Sequence, residues 1–240
     1  MVNNLYCGNV FEVLPKLNQR FDVIIADPPD GIGLKYNSFN DKISETNYQL
    51  FLTECIAIFT KYSNIVWISF NSKWIFSLGL IIKLFESNSH DWKAKLFINT
   101  FTFGQSNKKD CGNGYRPLLR LTHKDAKLYP NAIKVPSWRQ LNKDKRAAAG
   151  GKVPLDVWNF ERITGNCKER RQYHPTQLRE AMIKRIVDFS TLPGDTIGDF
   201  FSGTATPLRA IKDRNITSIE IDRFYCEQIA KEHNLEIKVI

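Results

Sequence analysis

The feature that most limits what this chain can fold into is an alternation. Short apolar, β-branched runs, each stopped by a turn, take turns with segments of helical period. FDVIIAD (21–27) ends in Asp-Pro-Pro, which neither a helix nor a central strand continues through. Residues 47–61 place Leu50, Phe51, Cys55, Ile58 and Phe59 at helical spacing. NIVWISF (64–70) then predicts a strand, 72–86 a helix and 94–103 a strand. Beyond residue 174 the rhythm returns. Pro175 predicts the opening of a helix to about Ser190, and Pro193-Gly194-Asp195 a turn. TIGDF (196–200) predicts a strand, 206–213 a helix, 217–222 a strand, 223–233 a helix, and the last five residues a final strand. This pattern predicts an α/β fold with an open, mostly parallel sheet and helices on both faces. The 240 residues fit one such domain carrying an insertion.

Residues 104–173 break the pattern. They contain Gly-Asn-Gly and scattered prolines, with Lys and Arg interleaved among Tyr115, Tyr129, Trp138 and Trp158, and predict only short strands such as 117–122. They hold 16 Lys/Arg against 6 Asp/Glu, while the rest of the chain holds 18 against 19, so the whole net charge of +9 sits in this segment. A long irregular stretch inside an α/β domain is usually functional, and concentrated positive charge points to a polyanion. No apolar run is long enough to span a bilayer, and the first ten residues lack a basic start and an apolar stretch, which predicts a cytoplasmic protein. Five dispersed cysteines and four dispersed histidines predict no metal site and no disulfide framework.

Two loops carry chemistry. Asp27-Pro28-Pro29-Asp30 lies at the carboxyl end of a predicted buried strand, where ligands collect in open α/β sheets. Its prolines remove N–H donors, so the carboxylate and nearby carbonyls form a cluster of acceptors suited to a donor-rich group such as an exocyclic amine. A plain strand-ending turn is the alternative. The second loop, Asp199 to Thr206, offers small residues and free N–H groups at a strand-to-helix junction, and Glu220 at the next strand end suits ribose hydroxyls. Neither GxGxxG nor GxxxxGK[ST] is present, which disfavours a nicotinamide enzyme and an NTPase.

Taken together, the ordered pieces resemble the β group of S-adenosylmethionine-dependent DNA amino-methyltransferases. They are Asp27 to Asp30, the basic segment, His174-Pro175-Thr176-Gln177, Pro193 to Asp195, Asp199 to Thr206 and Ile219 to Asp222. The resemblance implies a Rossmann-like methyltransferase sheet formed by residues 1–103 and 174–240, with 104–173 as a target-recognition insertion. It implies S-adenosyl-L-methionine as cofactor and double-stranded DNA with a flipped base as partner, and adenine N6 as the acceptor. Cytosine N4, an RNA target and an impaired nucleic-acid-binding relative stay open, as does a homodimer. Asp27, Pro28, Pro29 and Asp30 become the catalytic residues. Asp27, His174, Thr176, Gln177, Asp199, Phe201, Ser202, Gly203, Thr204, Thr206, Glu220, Ile221 and Asp222 become the cofactor-binding set.

Three departures stand out. Asp30 replaces an aromatic residue that the family stacks on the target base, which leaves Tyr36, Phe39 and Phe70 as substitutes. Phe200 and Ala205 replace a proline and a glycine; Ala205 costs about 1 kcal/mol if its φ is positive and little otherwise. Leu178-Arg179 replaces Lys-Pro.

Overall fold

Nine strands in one sheet organise the computed structural model, which describes residues 1–102 and 108–240. In chain order the elements are β1 (Asn3–Cys7), α1 (Val10–Lys16), β2 (Val23–Ala26), α2 (Glu45–Tyr62), β3 (Ile65–Ser69), α3 (Ile75–Asn88), β4 (Trp92–Thr100) and β5 (Tyr115–His123). There follow α4 (Trp138–Leu141), β6 (Val157–Asn159), α5 (Glu180–Ser190), β7 (Thr196–Phe200), α6 (Thr206–Ala210), β8 (Asn215–Glu220), α7 (Arg223–His233) and β9 (Ile237–Lys238). The spatial order is β6-β4-β5-β3-β2-β7-β8-β1-β9. β5 runs antiparallel to both neighbours; the other pairs are parallel.

The two faces of the sheet explain the apolar runs. Along β2, Val23 and Ile25 enter a core with α5, α6 and α7, while Ile24 and Ala26 enter a second core with α1, α2 and α3. Strands buried on both faces need continuous apolar sequence, and β2 and β3 have it. Among the described residues no helix is long and apolar enough to cross a membrane.

The structure departs from the sequence reading in several places, among them α4 and β6, which the reading did not place. β1 and α1 have no counterpart in the reading; β1 opens on two asparagines, and only Leu5 of its five residues is buried. The helix after His174-Pro175 begins only at Glu180. Residues 174–179 instead form a pinned, non-helical bridge: Gln177 accepts from the Arg171 amide (3.1 Å) and donates to the Glu169 carbonyl (2.7 Å). α6 stops at Ala210 because Ile211 is extended. The short strand expected at 117–122 is nine residues long and lies inside the sheet between β3 and β4. Phe103 and residues 104–107, the end of the expected 94–103 strand and the start of the basic segment, lie outside the described residues.

This last difference positions the site. The parallel strands β2, β7 and β8 end at one edge of the sheet. An antiparallel β5 begins at that edge, so Tyr115 and Arg116 arrive beside the loop after β2.

Candidate active site

The loop after β2 is held rigidly from behind. The Tyr48 hydroxyl donates to the Pro29 carbonyl (2.7 Å) and the Trp74 indole N–H to the Asp30 carbonyl (2.7 Å), and the two rings stack on each other. Two of the carbonyls expected to join the cluster of acceptors are therefore used internally. The Pro28 carbonyl receives no hydrogen bond among the described residues and keeps its accepting capacity.

The loop also receives a donor that the sequence reading missed. Arg116 donates through Nη2 to Asp27 Oδ1 (2.7 Å) and Asp30 Oδ1 (3.0 Å), through Nη1 to Asp30 Oδ2 (3.2 Å), and through Nε to the Ser69 hydroxyl. Burial alone would lower the Arg116 pKa, but the two carboxylates outweigh it and raise it further. Asp30 is buried and faces this cation. The only hint in the sequence is Asp30 itself, since a charge in a loop rigid with proline needs a partner. Nothing in the sequence says which of the 16 cations of the basic segment supplies it. Asp27 keeps its second oxygen unpaired among the described residues.

The loop after β7 is built around missing side-chain atoms. Gly203 has φ +53°, and a Cβ there would stand 2.8 Å from His174 Nε2. His174 Nδ1 lies against both the carbonyl and the amide of Thr176; a proton on Nδ1 leaves Nε2 as an acceptor beside Gly203. Burial lowers the His174 pKa, which keeps the ring neutral at pH 7. Glu220 accepts from the Gly203 amide (2.7 Å) and the Asp222 amide (2.9 Å), tying the ends of β7 and β8 together. Asp199 is buried against the Ser218 hydroxyl (2.9 Å), and burial pushes its pKa up to about 7.

Several expected cofactor residues brace the loop. Ser202 Oγ donates to the Asp199 and Ile219 carbonyls. The Thr204 and Thr206 hydroxyls are bonded by Arg209, a buried side chain that also pairs with Glu180 and that the reading did not single out. Asp222 caps α7 at Phe224 and accepts from Asn37 and Ser38 of the loop 31–41. Phe200 is fully buried, edge-on to Phe21, where a proline could not fill the core. Ala205 has φ +48°, the costly alternative.

Two cavities meet here. One, about 60 Å³, is lined by Tyr36, Phe39, His174, Phe201, Gly203 and Glu220. Its acceptors and apolar walls suit a nucleoside, and its backbone cradle admits one closely. The loop 31–41 borders it, latched to Tyr225 through the Asn37 amide and to Asp222 through the Ser38 amide. The other, about 270 Å³, is lined by Asp30, Asn99, Phe101, Tyr115, Arg116 and Phe160. Asp27, Thr176, Gln177 and Leu178 line both. Of the three proposed substitute rings, Phe70 is fully buried, and Tyr36 and Phe39 stack on each other in the smaller cavity (4.8 Å, 9°).

A family model described as DNA methylase, of the N6/N4 methyltransferases, matches residues 21–232. The chain belongs to this family. The methylase is 28% identical to the type II methyltransferase M.HpaI of Haemophilus parainfluenzae, over 92% of this chain and 70% of that one. It is 30% identical to the DNA adenine methyltransferase YhdJ of Escherichia coli K12, over 91% and 78%. Among solved structures, the PvuII cytosine-N4-specific DNA methyltransferase superposes with a TM-score of 0.72 (12% identity, 96% of this chain, 86% of that one). M1.HpyAVI in complex with S-adenosylmethionine superposes with 0.68 (20% identity, 98% and 100%). The sheet is thus the Rossmann-like methyltransferase sheet, and the cofactor of this DNA amino-methyltransferase family is S-adenosyl-L-methionine.

Proposed function

We propose that this methylase transfers a methyl group to an exocyclic amino group of a base flipped from duplex DNA, with adenine N6 as the acceptor. The observation that carries the reading is the place of Asp27, which lines both cavities at their junction. Residues of the smaller cavity would hold S-adenosylmethionine, which when bound would offer an electrophilic methyl on its sulfonium.

The residues around it divide the work. Glu220, already anchored by two amides, keeps lone pairs for ribose hydroxyls. Gly203 allows close approach, and Phe201 and Ile221 give apolar walls. Tyr36 and Phe39 cover the cavity. On the other side, the free oxygen of Asp27 and the Pro28 carbonyl accept the two amino hydrogens. The amino nitrogen is a poor nucleophile because its lone pair is delocalised into the ring. Two acceptors placed out of the ring plane favour a pyramidal nitrogen with its lone pair free, and the Asp27 charge stabilises the positive charge that develops there. Flipping the base costs about a few kcal/mol. The basic segment 104–173, with Lys134, Arg139, Lys143, Lys145 and Lys152 exposed, offers contacts to phosphates.

Aspartate at the head of the first motif and the likeness to an adenine enzyme favour adenine over cytosine. Expression in a host free of DNA methylation, followed by sequencing of its genomic DNA for modified bases, tests the reading. N6-methyladenine at one sequence context is expected. N4-methylcytosine overturns the choice of base, and unmodified DNA with active cofactor binding overturns the reaction.

A further inference from the structure

None of the three rings weighed as substitutes for an aromatic residue at position 30 is free in the larger cavity: Phe70 is buried, and Tyr36 and Phe39 face the smaller cavity. The rings of Phe101, Tyr115 and Phe160 line the larger cavity, but among the described residues none of them is bonded to Asp27 as Arg116 is. Arg116 is a planar cation. A guanidinium has five N–H donors, all in its plane. Arg116 uses four of them on Ser69, Asp27 and Asp30, and the Asp30 contact is a two-pronged fork through Nη1 and Nη2. These bonds occupy the edges of the group and fix its orientation. The side chain still keeps 21% of its surface and lines the cavity. Guanidinium planes stack well on nucleobases.

We propose that Arg116 is the stacking platform for the target base and that Asp30 is its clamp. The assignment rests on the function proposed above. It explains a carboxylate at position 30: Asp30 does not touch the base but holds flat the residue that does. The charges are consistent with the chemistry. Asp27, Asp30 and Arg116 together carry one negative charge, the same as Asp27 alone. The platform therefore leaves the acceptor end with the net charge needed to stabilise a positive amino nitrogen. Arg116 also fixes one Asp27 oxygen, which leaves the other as the acceptor for an amino hydrogen.

The test is a cycle between protein and DNA. A duplex bearing the recognition sequence found by genomic sequencing is compared with the same duplex lacking the target base, both with S-adenosylhomocysteine present. Arg116→Lys keeps the charge and loses the plane. It is expected to weaken binding of the complete duplex about tenfold or more, the size of one lost base stack, and binding of the abasic duplex less than twofold. Its affinity for S-adenosylmethionine should match that of the parent protein. The Asp30→Asn/Arg116→Met double variant removes both charges of the pair together and should show the same base-dependent loss. Equal weakening on the two duplexes, or none, overturns the platform and leaves the methyltransferase reading intact. A parent protein that binds S-adenosylmethionine but methylates no DNA overturns the underlying reading instead.

Discussion

Two arginines stand four residues apart on one face of β5 and live in opposite environments. Arg116 meets two carboxylates and a hydroxyl at the carboxyl edge of the parallel strands. Among the described residues, Arg120 pairs with no anion. Its guanidinium lies over the rings of Trp67, Phe97 and Phe189 at 5.6, 5.2 and 5.1 Å, and its Nε is buried without a hydrogen-bond partner. Asp27 and Asp30 raise the pKa of the first, whereas burial lowers that of the second to about 10. The strand gives both residues the same backbone and the same orientation. What differs is the loop opposite, and only one end of β5 faces a loop made for chemistry.

Substitutions sharpen this contrast, beginning with the largest effect. Asp27→Asn keeps the shape of the partner of Arg116 but removes its charge. Methyl transfer, measured with labelled cofactor, should fall about 10³-fold while DNA affinity in a filter-binding assay changes little. Retained activity would separate Arg116 and its partners from the reaction.

Truncating each arginine compares the two ends directly. Arg116→Met leaves Asp30 buried without compensation and should cost about 3–5 kcal/mol in urea unfolding. Arg120→Met exchanges an unpaired charge for an apolar chain among rings and should fall within about 1 kcal/mol of the parent, on either side. Similar losses at both positions would erase the distinction.

Asp199 extends the comparison to a buried acid with no ion pair among the described residues. Its pKa is raised in the folded state, to about 7, so the native state binds the proton more tightly than the unfolded chain. The stability this group contributes is full below about pH 4 and is lost as pH rises through 7. Asp199→Asn cannot ionise. The stability of the variant relative to the parent should therefore rise between pH 4 and 7 and level off above, as read from urea unfolding at a series of pH values. A flat difference would mean that Asp199 is ionised in the native state throughout.

The smallest effect concerns backbone strain. Gly203 and Ala205 both have positive φ, but only Ala205 carries a Cβ. Ala205→Gly should stabilise the protein by up to about 1 kcal/mol, or about 2–4 °C in Tm, in a thermal melt. No gain would mean that the packing of the Ala205 methyl in the core offsets its strain.

Much of the fold is legible in the sequence because it rests on local pattern. The apolar runs at 21–27, 64–70 and 196–200 each fall on a strand, and α7 begins and ends where its periodicity and flanking residues place it. β1 and the bridge at 174–179 escape that reading, since their conformations come from partners elsewhere. The candidate site divides in the same way. The two loops, with Gly203 and Glu220, are readable as turns and strand ends. The bracing roles of Ser202, Thr204, Thr206, Gln177 and Asp222 are not, because each depends on which neighbour reaches a hydroxyl, amide or carboxylate first.

The sequence by itself determined an α/β sheet, the order of its strands and helices after residue 20 outside the basic segment 104–173, and the two loops at its carboxyl edge. Periodicity and turn chemistry act within a few residues, so they can be read from the residues alone. The tertiary structure decided that Arg116 would meet Asp27 and Asp30, 89 and 86 residues away. That meeting needs β5 to enter the sheet antiparallel at one register. Side chains alternate faces along a strand, so a slip of one residue would turn Arg116 to the opposite face of the sheet. Register of this kind is set by the packing of the whole sheet and by no short stretch of chain.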